Sequence, residues 1–264
     1  SYSNIEGGLD SIVTNDNGTV IWGDGNIDVD PMFVDTANGN YHLLASSMLI
    51  NAGHPDSTDS DETVSDIGAY PYLNSYSGPT WYVETEGNDT MGTGASDNPF
   101  ASIQAGINFS SNTDSVTVAE GTYVENINFR GRSIKVAGAD RETTIIDGDS
   151  SGSVVTFDSS EDSTALLSGF TIQNGLSENG GGIRCNGTSP TLDNLIIRGN
   201  HSSNYGGGIF CSAGANSTLK NVLLDDNSAL SGGGFYLTNS SPELENVSIS
   251  NNSSNNAGGG LQCI

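Results

Sequence analysis

Gly180-Gly181-Gly182-Ile183-Arg184-Cys185 returns as Gly206-Gly207-Gly208-Ile209-Phe210-Cys211, then as Gly232-Gly233-Gly234-Phe235-Tyr236-Leu237, then as Gly258-Gly259-Gly260-Leu261-Gln262-Cys263, each copy 26 residues after the last. A second shared block precedes the later copies: Leu192-Asp193-Asn194-Leu195, Leu219-Lys220-Asn221-Val222 and Leu244-Glu245-Asn246-Val247. A fixed period of this size is one supersecondary unit stacked on copies of itself, a solenoid.

Within each unit the apolar residues alternate, which is the period of strands. Ile183 and Cys185 point one way and Arg184 the other; Leu195 and Ile197 turn inward, as do Val222/Leu224 and Val247/Ile249 in the next copies. Gly, Asn and Ser separate the short strands, so each circuit must bend without helices. Successive circuits then stack at the inter-strand spacing of about 4.8 Å, as a parallel β-helix. Asn194, Asn221 and Asn246 are expected to form an inward asparagine ladder, and Asn200, Asn227 and Asn252 to mark the turn into the glycines. The glycines suit a corner of positive φ and close backbone approach. A phosphate cradle would need the Lys-Ser/Thr pair and a following helix, which the sequence lacks.

Working outward, Trp81-Tyr82-Val83 reads as a first strand, and Phe100, Ile103 and Ile107 fall at helical spacing within Pro99–Ser110, with Asn98 as the expected N-cap. Such a helix would cover the open end of the first coil. Strands are expected around 116–118, 127–129, 134–136, 144–146, 154–157 and 170–172, giving six or seven coils over residues 81–264. Residues 1–72, with strand-like pieces at Thr19–Trp22 and Tyr41–Leu44, read as the closing segment of a preceding β-helix, and residues 73–80 as a linker.

Trp81-Tyr82-Val83, Asn98-Pro99-Phe100, Ile103-Gln104, Gly121-Thr122-Tyr123 and Ile145-Ile146-Asp147-Gly148 resemble the opening of pectin-lyase-like right-handed parallel β-helix proteins. The Gly-Gly-Gly-Ile coils are similar to polymorphic outer-membrane and other surface β-helix repeats. Gly25–Phe33, Tyr41-His42-Leu43 and Asp66–Tyr70 resemble the closing segment of large secreted bacterial β-helix proteins, with Met48 where that pattern has Pro. The resemblance implies an all-β, right-handed parallel β-helix with a short N-terminal capping helix, preceded by the end of another β-helix. It implies a secreted or cell-surface location and leaves activity open, since this fold carries lyases, hydrolases, adhesins and inert fibres.

Thirty-two acidic residues against seven Lys and Arg give a formal charge of −25. Such a surface repels nucleic-acid phosphates and anionic lipid, and favours cations. No apolar run reaches membrane-spanning length. The chain lacks an initiator Met and a signal peptide and is expected to be a processed or cropped piece of a longer product. Cys185, Cys211 and Cys263 share the repeat position that Leu237 fills, so buried free thiols are expected, with a Cys185–Cys211 disulfide as the alternative.

The chemistry of a lyase needs a base with Asp-held Ca²⁺; Arg184 and Arg198 have no acidic cluster at matched repeat positions. A glycosidase needs paired carboxylates about 5–9 Å apart, and Asp225 and Asp226, adjacent on a strand, point apart. Calcium is the better candidate: Asp24, Asn26, Asp28 and Asp30 alternate, and Asp56, Asp59, Asp61 and Asp66, beside Glu62, follow in one loop. Ca²⁺ takes six to eight oxygens from such loops, although position 29 is Val where an EF-hand has Gly. Asn-x-Ser/Thr acceptors recur, among them Asn17, Asn108, Asn186, Asn216 and Asn239.

These readings favour a non-enzymatic extracellular structural protein whose copies join head-to-tail, Ser1–Gly8 against Gly258–Ile264. The alternatives are a segment of a surface adhesin, or a polysaccharide-cleaving or glycan-binding β-helix with Phe210 and Tyr236 on its outer face.

Overall fold

The chain, described by a computed structural model over residues 1–15 and 18–264, winds into a parallel β-solenoid of about 6 turns. Asn17 lies outside the described residues. One wall is an 11-stranded sheet running from Thr80–Val83 through Ser115–Val118, Lys135–Gly138, Leu166–Gln173, Thr191–Arg198 and Thr218–Lys220 to Glu243–Glu245. A second wall has six strands, from Ile127–Asn128 to Leu261–Cys263, and a third has four, from Leu176–Asn179 to Ser253–Ala257. Register follows the repeat: Ile183 pairs with Ile209, Ile209 with Phe235 and Phe235 with Leu261, so like residues stack inside. Leu195, Ile197, Ile209, Leu224 and Phe235 are fully buried, and Phe129 stacks on Phe157 with ring centres 4.2 Å apart. Burial of such side chains contributes about 1.5–3 kcal/mol each.

The tri-glycines turn the corner between the third wall and the second, and their three positions serve two needs. Gly180, Gly206, Gly232 and Gly258 hold φ between 63° and 71°, where a side chain is strained. Gly207 has no such φ, yet a Cβ there would lie 2.6 Å from the carbonyl oxygen of Gly233 on the next rung. The corner therefore keeps its ladder unbroken: the N–H groups of Gly180, Gly181, Gly182 and Ile183 donate to the carbonyls of Tyr205, Gly206, Gly207 and Gly208 at 2.8–3.1 Å.

Of the two asparagine files, the one expected at the turn toward the glycines lies there and also points inward, whereas the one expected inward lies outside. Asn194, Asn221 and Asn246 are exposed, with φ of 52°, 54° and 52°. They are left-handed turn residues whose amides bond along the outside, Asn246 Nδ2 to Asn221 Oδ1 at 2.8 Å and Asn221 Nδ2 to Asp193 Oδ1 at 2.9 Å. The inward ladder is Asn200, Asn227 and Asn252. There Asn200 Nδ2 donates to Asn227 Oδ1, and Asn227 Nδ2 to Asn252 Oδ1, both at 3.0 Å. The same Nδ2 groups reach the Ile172 and Ile197 carbonyls. Asparagine is favoured at both places for different reasons, tolerance of positive φ outside and amide self-complementarity inside, which is why residue type alone did not separate them.

Two other expectations are corrected. The helix α1 spans Ile103–Phe109, and its N-cap is Ser102, whose Oγ accepts from Ala105 N; Asn98 is not the cap. Residues up to Phe100 are extended because Phe100 bridges Val83 in parallel and exchanges backbone bonds with Tyr82 and Glu84. Thr19–Trp22 forms no strand, and Ile21 is 89% exposed. Tyr41–Leu44 does lie at a strand, Asn40–Leu43, which pairs antiparallel with Phe33–Asp35.

The two ladders are expected to differ in energy. Asn227→Ala strips buried donors of partners and should cost about 2–4 kcal/mol in urea unfolding, whereas Asn221→Gly, which keeps the turn, should change stability by about 0.5 kcal/mol or less.

Candidate functional site

The acidic residues expected to hold calcium spend their oxygens on backbone N–H groups. Asp28 Oδ1 accepts from Gly7 N and Asp30 Oδ1 from Met32 N, while Asn26 Oδ1 accepts from Ser3 N; Asp24 contributes only its carbonyl, to Tyr2 N. Asp56 sits 3.9 Å from His54 at the surface. Asp59, Asp61 and Asp66 come closer together: Asp59 Oδ2 accepts from Asp66 N, Asp61 Oδ2 from Asn74 N, and Asp66 from Asn51 N and Tyr72 N. Burial, aided by the charges of Asp59 and Asp61, pushes Asp66 up to about 6 against those two N–H bonds. Among the described residues no three His, Cys, Asp or Glu side chains converge as metal ligands would.

On the outer face the residues considered for lyase or glycosidase chemistry are each engaged locally. Asp225 Oδ1 accepts from Ser250 Oγ and Asn251 Nδ2, and Asp226 occupies a left-handed turn at φ 52°. Arg184 pairs with Asp158 at 3.3 Å and Arg198 with Gln173, on different walls. Phe210 and Tyr236 stack outside as expected, joined by Tyr205, with ring centres 4.5–6.4 Å apart and planes 19–30° apart. Their faces are spent on one another, leaving Tyr236 only 6% exposed. Cys185 and Cys211 are free, fully buried register partners, and Cys263 is exposed on the last rung. Asn108, one of the glycan acceptors by sequence, is fully buried, whereas Asn216 and Asn239 are exposed.

A dense polar construction lies around α1, with little sign of it in the sequence. One side of the helix packs against the first strands of the solenoid; on its other side sit residues 45–51. Asn108 satisfies all four of its amide positions there. Its Nδ2 donates to the carbonyls of Ala45 (2.9 Å) and Ser47 (2.8 Å), and its Oδ1 accepts from Gln104 Nε2 (3.0 Å) and Arg130 Nη1 (2.7 Å). Arg130 also donates to Ile50 O, and Asn51 Nδ2 to Asn108 O. Arg132 donates to the carbonyls of Ser110 and Asn108. Burial lowers Arg130 to about 9, with Arg132 adding repulsion, and lowers Arg132 to about 10.

The opposite end of α1 is held by carboxylates. Asp89 Oδ1 accepts from Ala101 N and Ser102 N, and Glu125 accepts from Ile103 N at 2.7 Å and Gln104 N at 3.0 Å. Acids at the start and cations at the end match the helix dipole and satisfy the free N–H and C=O groups a short helix leaves. Compared with protein-family profiles, curated proteins and solved structures, the chain finds no match in any of the three. Its geometry alone must carry the functional reading.

Removing the hub should free residues 45–51 without loosening the coils. In Asn108→Ala, amide exchange at Ile50 is expected to accelerate by at least about tenfold, a loss of roughly 1.4 kcal/mol or more, while Ile209 in the solenoid keeps its protection.

Proposed function

We propose that this chain is a non-enzymatic structural module of an extracellular surface fibre or stalk, built to carry length and to join β-solenoids end to end. The observation that carries the reading is the seating of residues 45–51 on α1 through Asn108 and Arg130. Residues 1–72, read as the close of a preceding β-helix, supply the seated segment, and α1 with the following coils supplies the seat. A parallel bridge between Asn4 and Ile27, bracketed by Asn4 side-chain bonds to Val29, supports a solenoid-like character for the earliest residues. On this reading α1 is a capping helix and the contact is a repeatable joint.

Chemistry of the surface supports the same conclusion. Several carboxylates accept from turn N–H groups, and Tyr205, Phe210 and Tyr236 stack on one another, which serves rigidity. The high negative charge keeps such rods soluble and apart laterally.

Electron microscopy of native material is the test, with and without calcium. The expected images are rods or fibres with an axial repeat matching one module, and polysaccharide incubations that release no product. Compact isolated particles at every concentration, or depolymerised polysaccharide, would overturn the reading.

A further inference from the structure

The geometry points to Tyr205 and Tyr236 as a site of oxidative cross-linking, where a haem peroxidase with hydrogen peroxide joins the two rings by a carbon–carbon bond and locks one rung of the solenoid to the next. Tyr205 closes the strand His201–Tyr205 on the third wall. Tyr236 lies in Phe235–Leu237 on the second wall, in register with Phe210 of the rung before. From its place just ahead of the Gly206–Gly208 corner, the Tyr205 ring reaches past the corner and stacks on both.

Contact, pairing and exposure together single out these two residues. Ring centres 4.5 Å apart, with planes 30° apart, put facing atoms of the two phenols in van der Waals contact. Among the described residues no other two tyrosines stack; Tyr41, Tyr70, Tyr72 and Tyr76 meet Phe, His or Trp rings instead. Exposure is divided between the partners. Tyr205 is 38% exposed and meets the oxidant, whereas Tyr236, at 6%, is shielded from other chains. Phe210, the third ring, has no hydroxyl and packs against the pair without competing in the reaction.

Each phenol gives up one electron and its hydroxyl proton, Tyr236 passing its electron through the stacked Tyr205. The two radicals couple at the ring carbons next to the hydroxyls. A proton then moves from each coupled carbon to its oxygen through water, which restores both phenols. Two hydrogen atoms leave per cross-link, and one hydrogen peroxide is reduced to two waters. Because the rings are already held together, coupling within the chain outruns coupling between chains. The new bond spans both the Gly206–Gly208 and the Gly232–Gly234 corners, whose glycines bring the most freedom to the unfolded chain. Closing a loop across them restricts that unfolded state.

The test treats the full chain at high dilution with a haem peroxidase and hydrogen peroxide, after alkylation of the exposed Cys263 thiol. Expected are blue dityrosine fluorescence in the monomer, a peptide map that joins the Tyr205 and Tyr236 peptides with the loss of two hydrogens, and a raised urea midpoint. Tyr236→Phe keeps the ring and should lose all three. No cross-link, fluorescence confined to dimers joined through exposed tyrosines such as Tyr41 and Tyr70, or a signal that persists in Tyr236→Phe overturns the site. A mapped cross-link that leaves the urea midpoint where it was overturns the locking. Since the bond forms inside one molecule, its outcome is separate from that of fibre formation.

Discussion

Each rung of this solenoid must pass its backbone hydrogen bonds to the next, and that constraint governs the rest of the molecule. A parallel ladder running along the axis constrains the register of the core-facing strands, since a one-residue slip would turn inward side chains outward. It also demands corners through which the ladder continues. The tri-glycines meet that demand by combining one left-handed residue with two that lack the Cβ atoms an adjacent rung would strike. The inward Asn200–Asn227–Asn252 file meets it at the preceding turn, where side-chain amides complete bonds that the bending backbone leaves open.

The same constraint creates a difficulty at any end of the stack, where N–H and C=O groups point outward with no rung to receive them. Beside the first strands lies α1, whose own ends are met by Asp89 and Glu125 on one side and by Arg130 and Arg132 on the other. Burying those charges is costly. The residues seated on α1 return carbonyls to Asn108 and Arg130, so the polar helix surface is matched by an equally polar partner. Hydrogen bonds with fixed partners set the register of this contact in a way that apolar packing alone would not.

Legibility varied with the range of the interactions involved. The coil positions of Ile183, Leu195, Ile209 and Leu224 could be read from alternation, because inward and outward faces need different chemistry at every second residue. The helix was visible in Phe100, Ile103 and Ile107, but its start was displaced. The bridge between Val83 and Phe100 extends the chain past Asn98, and a propensity argument cannot see that long-range partner. Acidic residues such as Asp61 and Asp66 are visible in the sequence as a supply of oxygens, whereas the bonds they accept from Asn74 N, Asn51 N and Tyr72 N arise only in the fold.

By itself the sequence determined the solenoid, its 26-residue period in the regular coils and the residues that face its core, because a repeated local pattern can bury itself only by stacking on its own copies. Tertiary structure alone decided which asparagine file lies inside, where α1 begins, and that Asn108, Asp89, Glu125, Arg130 and Arg132 meet around it. Those residues are up to 43 positions apart in the chain and fall outside the exact glycine repeat. No periodicity marks such a site, because its chemistry arises only when non-repeating segments are brought against one another.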